Sequence, residues 1–341
     1  MNKKNYEYLT TDEYLQTFIS TQALKAALEI GLIDYFIKYE QLKIDQILST
    51  IKIDEFGLIT LINILKNNNI IESIDDKYQL TEKFSSVLKY RDLLEAKIEF
   101  SNLVAPDIMN SFSLFLNKPN EFMIQSRLFE LFGYQNCFEI SKKNIDLAKR
   151  WMKFTTVYTR YEASVCMHHH DFSGYQTLMD IGGNSGEFAL QLCTNHRNLQ
   201  ATVVDLPVVC EVGKEYIKQK PQSKQISFFK ADALSDSLPN NLDAVTFKSI
   251  LHDWPEEATA RFIERARDCL KPGGSIIIFE RGYIDNNDYS IPYGMLPIFL
   301  FIRHFRNPSF YQQQLQQAGF KDISIQRIDL DMPFYLIAAK K

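Results

Sequence analysis

The sequence predicts an α/β protein built on a doubly wound parallel sheet, preceded by a helical domain of winged-helix pattern. Three observations carry that expectation. Between Leu178 and Glu280, β-rich apolar runs alternate with segments of helical apolar spacing, which is how strand–helix–strand units read. The first run ends in Asp180-Ile181-Gly182-Gly183-Asn184-Ser185-Gly186 and opens into the helix-spaced Phe188-Ala189-Leu190-Gln191-Leu192, so strand, tight turn and helix follow one another. Near the N-terminus the order is helix, helix, hairpin.

With 341 residues, 45% of them hydrophobic, the chain is long enough to bury two cores. Its formal net charge of −4 argues against nucleic acid as an obligatory partner, because neutralising phosphates takes a basic surface. The five cysteines, Cys137, Cys166, Cys193, Cys210 and Cys269, show no C-x-x-C spacing, so neither a disulfide framework nor a zinc site is signalled. The N-terminus leads into no apolar signal core. The most apolar stretch, Pro292 to Phe305, is shorter than a bilayer span and carries Arg303 and His304. A cytoplasmic protein with reduced thiols and no membrane partner is expected.

From Asp12 to Tyr39 the positions Leu15, Phe18, Ile19, Ala23, Ala26, Ala27 and Ile30 keep helical spacing, and Gly31 can end that helix. Short helices follow over Leu42 to Ile51 and Asp54 to Lys66, the second with Asp54 as N-cap and Asn67-Asn68-Asn69 as its stop. Ile70 to Ile74 and Lys77 to Leu80 read as two strands joined by Asp75-Asp76. The helix that would read DNA begins with Asp54-Glu55 and is mostly apolar. It would repel phosphate, so a subunit interface suits this domain better than DNA. The domain is expected to span residues 1–105, with a catalytic domain over 106–341 whose first part, 106–175, is a helical lead-in rich in phenylalanine.

The glycine turn decides the ligand class. A dinucleotide fingerprint would want glycine at Asn184, and no Lys follows as in a phosphate loop. Asp180 before the turn would repel a diphosphate and could pair with a ligand's ammonium group, which favours a cationic nucleoside; a tight turn with no ligand stays open. The second run, Ala201 to Asp205, ends in an acid about 20 residues past the turn, where a carboxylate can accept from ribose hydroxyls or serve as the N-cap before Leu206-Pro207. The third, Ile226 to Phe229, leads to Lys230-Ala231-Asp232-Ala233, an acid and an apolar residue able to clamp a nucleobase.

The fourth run, Asp243 to Lys248, leads into Ser249-Ile250-Leu251-His252-Asp253-Trp254-Pro255, and Pro255 with two glutamates starts a helix. His252 therefore falls in a loop at the carboxyl edge of the sheet, where folds of this class place ligands; it is a natural general base or, equally, a structural histidine. Lys271 to Gly274 reads as a turn. The fifth run, Ser275 to Glu280, ends in an acid that can orient and charge-stabilise the imidazole.

Taken together, the glycine turn, Val203 to Pro207, Lys230 to Asp232, Lys248 to Trp254, Leu270 to Gly274 and Ala318-Gly319-Phe320 resemble the class I S-adenosylmethionine-dependent O-methyltransferases. The resemblance is narrower still to the caffeic-acid-type small-molecule group and its bacterial relatives in polyketide and antibiotic tailoring. It implies a Rossmann-like methyltransferase sheet, S-adenosylmethionine as cofactor, and a homodimer formed through the N-terminal domain. It implies that Gly182, Gly183 and Gly186, with Asp180 and Thr155, hold the cofactor. Asp205 and Leu206 would bind its ribose, Asp232 and Ala233 its adenine, and Lys248 and Trp254 would lie against it. His252 matches the family's base and Glu280 an acid flanking it. The acceptor, a phenolic or polycyclic aromatic, would meet Met152, Phe154, Asp253, Met295, Phe299 and His304. One departure stands out: the family's second flanking acid is missing, the stretch reading Arg303-His304-Phe305-Arg306, so Glu280 orients the base alone or His304 takes a role there. Some relatives use the cofactor for hydroxylation, decarboxylation or cyclisation; retention of His252 and Glu280 argues for methyl transfer. His168-His169-His170 cannot easily turn three rings to one point, so no metal is expected.

Overall fold

The computed structural model describes residues 6–15, 18–283 and 291–341. They divide into two compact units, one within Met1–Asn110 and Asp288–Phe299, the other within Ser111–Asn287 and Leu300–Lys341.

The first unit opens on a 3-10 turn over Glu7–Tyr14, then α1 (Phe18–Glu29) and α2 (Leu32–Tyr39). Gly31 separates these helices at φ 77°, a left-handed conformation that a β-carbon would strain. There follow α3 (Ile44–Leu48), α4 (Glu55–Asn67), the strands β1 (Ile71–Ile74) and β2 (Lys77–Leu80), α5 (Glu82–Val87) and α6 (Arg91–Asn117). Asp54 caps α4 by accepting from the Gly57 N–H at 2.9 Å. Asp75 and Asp76 turn the β1–β2 hairpin at φ 44° and 62°, the paired positive φ of a tight two-residue connection. The apolar faces of these elements meet around Leu24, Phe36, Leu58, Ile62 and Phe84, and Tyr293 joins that core. α6 loses helical angles at Ser111, where the first unit ends.

The second unit carries α7 (Pro119–Gln125), α8 (Arg127–Leu131) and the long α9 (Lys142–His169) ahead of a seven-stranded sheet. The sheet elements in chain order are β3 (Thr177–Ile181), α10 (Glu187–Asn195), β4 (Gln200–Asp205), α11 (Pro207–Ile217), β5 (Ile226–Lys230), β6 (Leu242–Lys248), α12 (Glu256–Cys269) and β7 (Leu270–Arg281). After α13 (Leu296–Phe299), which belongs to the first unit, the chain adds α14 (Pro308–Gln317), β8 (Lys321–Asp329) and β9 (Pro333–Lys340). Strand order is β5-β4-β3-β6-β7-β9-β8, parallel from β5 to β7 and antiparallel where β9 meets β7 and β8. β3 is central and buried on both faces, hence its unbroken Leu178-Met179-Asp180-Ile181. The expected turn at Lys271 to Gly274 is part of β7, with Gly273 at φ 77° absorbing the irregularity.

Candidate active site

From β3 the chain winds outward through β4 to β5, then returns to the other side of β3 for β6 and β7. A doubly wound sheet has its ligand crevice at such a reversal, outside the carboxyl ends of the two strands that flank it. The turns after β3 and β6 open there, flanked by the ends of β4 and β7.

The glycine turn is built as much by packing as by conformation. Gly182 sits at φ 67°, Gly186 at φ 78° and Asn184 at φ 58°. A β-carbon on Gly182 would come within 1.8 Å of the Ile250 side chain, and one on Gly183 within 2.5 Å of Asp180 Oδ2. Thr155 and Thr156 of α9 tie the turn from the other side: Asn184 Nδ2 donates to Thr155 Oγ1 at 3.2 Å, and Thr156 donates to Ser185 Oγ at 2.7 Å. Asp180 is fully buried. Its Oδ1 accepts from Thr246 at 2.7 Å, while Oδ2, beside Gly183, has no hydrogen-bond partner. Burial raises its pKa to about 7 against the opposing Thr246 hydrogen bond. An unpaired buried acceptor costs stability, and a donor group brought by a ligand would relieve it.

Asp205 and Asp232 stand at the tips of neighbouring strands. Asp205 accepts from the Asn184 N–H at 2.9 Å and the Leu206 N–H at 2.8 Å, so it braces the glycine turn and the start of α11 together. Burial pushes its pKa to about 6 despite those two bonds. Each oxygen keeps a lone pair for a further donor. Asp232 accepts from the Leu234 N–H at 2.9 Å and the Ser235 hydroxyl at 3.1 Å, with Ala233 buried beside it. Trp254 meets the Tyr134 ring edge-on at 4.8 Å, and Tyr134 feels the negative charge of both Asp232 and Asp205. Tyr134 has no motif around it and is visible only once the chain is folded.

The candidate base and its flanking acid stand on the loop after β6 and at the end of β7. His252 is buried, and its Nδ1 lies 2.6 Å from Glu280 Oε2. Glu280, with no exposed surface, also accepts the N–H groups of Ile250 and Leu251 on Oε1, both at 2.7 Å. One carboxylate thus fixes the loop backbone and the imidazole it carries. On the far side, Asp253 Oδ1 is 3.3 Å from His252 Nε2. Burial alone would lower the His252 pKa; Asp253 and Glu280 outweigh it and hold the ring above its ordinary value. His304 is half-buried near Asp253, its pKa kept below the ordinary value by burial. Arg306 donates to the Leu251 carbonyl at 2.7 Å and to that of Trp254, locking the loop from outside. Phe301 and Phe305 face the His252 ring at 6.3 and 5.2 Å, and Phe301 continues into Phe129 and Phe132.

The remaining expected residues have neighbours of their own. Met152 is 2% exposed and packs with Leu206, Val208 and Val209, and Phe154 is also buried. Met295 and Phe299 belong to the first unit. Lys248 turns to Thr159 at 3.1 Å and to Glu162. The histidine run diverges: His169 pairs with Gln326 at 2.8 Å and His170 with the Tyr175 hydroxyl at 3.0 Å. Among the described residues no cluster of three metal-ligating side chains occurs, and no helix is long and apolar enough to cross a membrane.

Residues 117–321 match the profile of the O-methyltransferase domain family. The chain is 34% identical over 146 residues to a 3-hydroxy-5-methyl-1-naphthoate 3-O-methyltransferase of Streptomyces sahachiroi, a match covering 43% of this chain and 41% of that protein. It is 25% identical over 302 residues to O-methyltransferase 7 of Dictyostelium discoideum, covering 87% and 84% respectively. In fold it is similar to human N-acetylserotonin methyltransferase in complex with S-adenosylmethionine, with TM-score 0.64 and 19% identity over 95% of this chain and 94% of that one.

Proposed function

The chain belongs to the O-methyltransferase domain family, and from that footing we propose that it moves a methyl group from S-adenosylmethionine to a phenolic hydroxyl of an aromatic small molecule, with His252 as general base. When bound, S-adenosylmethionine supplies a methyl group on a positively charged sulfur and leaves as S-adenosylhomocysteine. The unpartnered Asp180 Oδ2 beside the glycine turn suits that cofactor, since it can accept from a ligand's ammonium group. Gly182, Gly183, Gly186 and Thr155 would cradle it. Asp205 and Leu206 would take the ribose, Asp232, Ala233 and Trp254 the base, with Lys248 alongside.

The observation that carries the reading is the His252–Glu280 pair at 2.6 Å, set at the crevice beside the glycine turn. Glu280 accepts a hydrogen bond from Nδ1–H, which keeps the proton of the neutral ring on Nδ1 and the lone pair on Nε2, where it can take the acceptor's proton. Asp253, 3.3 Å from Nε2, favours the charged ring that forms when the proton is taken. The rings of Phe129, Phe132, Phe301 and Phe305 supply an apolar wall for a flat acceptor, of the kind that the name of the naphthoate relative describes. His304 lies on the Asp253 side of the site. Incubating the protein with isotope-labelled cofactor and a panel of phenolic and anthraquinone-like acceptors should give products heavier by one labelled methyl. A product altered without gaining a methyl would overturn the reading.

The N-terminal unit supports a homodimer. Phe56 is 81% exposed, and Ile19, Ile37 and Ile59 also show apolar surface, which a second copy would cover. Sedimentation at micromolar concentration should return twice the chain mass; a monomer would remove this part of the proposal. The five free, buried cysteines fit a reducing cytoplasm, and recovery of the chain from an oxidising compartment would contradict that placement.

A further inference from the structure

Along α9, one buried position carries a charge that packing does not require. Glu162 is 4% exposed, and its two oxygens meet two different cations: Oε1 the guanidinium of Arg281 and Oε2 the ammonium of Lys248. Both cations are themselves almost wholly buried. Lys248 closes β6 and Arg281 closes β7, so both stand at the carboxyl edge of the sheet; Arg281 directly follows Glu280. Buried ion groups contribute little net stability, because desolvation consumes what attraction returns. Apolar residues at all three positions would pack as well, so the informative feature is where the charges stand.

They stand within electrostatic reach of the site, Lys248 acting on Asp180 and Arg281 on His252. Without Glu162, Lys248 and Arg281 would place two positive charges beside the site of a sulfonium. Asp331 adds negative potential on the Arg281 side, while the ionic contact of Lys248 is with Glu162. We propose that Glu162 is a positioning residue that holds Lys248 and Arg281 as a partly neutralised group, so that the crevice favours the positively charged methyl donor over its product. The inference rests on the cofactor reading above. S-adenosylmethionine and S-adenosylhomocysteine differ by a methyl group and the charge on sulfur, so the ratio of their affinities reports the potential at that atom. A fold defect weakens both and leaves the ratio in place.

The test is calorimetric binding of each nucleoside to the full chain. Glu162→Gln should lower the donor-to-product affinity ratio by roughly tenfold, the size of one nearby charge at intermediate dielectric. Arg281→Gln removes a cation and should raise the ratio above that of the unaltered protein; the double variant should return close to it. An unchanged ratio in Glu162→Gln overturns the proposal. If that variant does not fold, Arg281→Gln still decides: a ratio that stays level or falls is fatal to the idea. Failure of the unaltered chain to bind either nucleoside would instead bring down the cofactor reading, and this inference with it.

Discussion

Replacing His252 with glutamine should lower methyl transfer by about 10²–10⁴-fold and leave cofactor affinity almost unchanged. Glutamine approximates the reach of the ring and can hydrogen-bond, but it cannot accept a proton near neutral pH, so what is lost is proton removal from the acceptor hydroxyl. The groups assigned to the cofactor lie mainly on the turns after β3, β4 and β5, whereas the His252 loop is fixed separately by Glu280 and Arg306. Calorimetry with S-adenosylhomocysteine should therefore give similar constants for both proteins. The pH profile offers a second readout. The base works as the neutral ring, and Asp253 with Glu280 holds its pKa above the ordinary 6.5 against burial. Activity should accordingly rise with pH along a limb centred above 6.5, and that limb should vanish in His252→Gln. Full turnover by the variant, or an unaltered limb, removes His252 from the base role.

Much of this site is legible in the sequence because a parallel sheet converts strand order into position. Asp180, Asp205, Lys248 and Glu280 each close a β-rich run, and parallel strands bring their ends to one edge; the four fall at the carboxyl ends of β3, β4, β6 and β7. Contacts that depend on loop angles are not legible in this way. Whether Asp253 folds back onto the neighbouring His252 depends on a 3-10 turn entered through Ser249 at φ 53°, and no spacing rule predicts that. α9 defeats periodicity for another reason. Ala148, Met152, Phe154, Thr156, Tyr158 and Glu162 are all buried, so the helix has covered surfaces on more than one side and no single stripe reveals which residue faces the crevice. This is why Glu162 passes unnoticed in the sequence. β8 is an edge strand, largely exposed, with no alternating apolar pattern to announce it.

The sharpest test of the acid–base assignment is Glu280→Gln, a change of one atom with an expected loss of about 10⁴-fold in kcat. Oε1 accepts two backbone N–H groups and Oε2 faces His252 Nδ1. In the glutamine variant the amide oxygen must stay with the two N–H donors, since the amide NH2 can accept from neither. The NH2 group then points at Nδ1 and donates to it. The proton of the neutral imidazole is driven to Nε2, and the nitrogen that should take the acceptor's proton already carries one. Loop, packing and cofactor site remain, so KM and S-adenosylhomocysteine affinity should change little. Nitrogen NMR of the His252 ring should show the proton moved from Nδ1 to Nε2. Glu280→Ala differs: it strips the partner from two backbone donors as well, so it should lower thermal stability along with activity. If the two residues act as one unit, His252→Gln combined with Glu280→Gln is scarcely slower than either change alone. A Glu280→Gln enzyme with normal turnover would show that the short contact at Nδ1 holds the loop and has no part in the proton transfer.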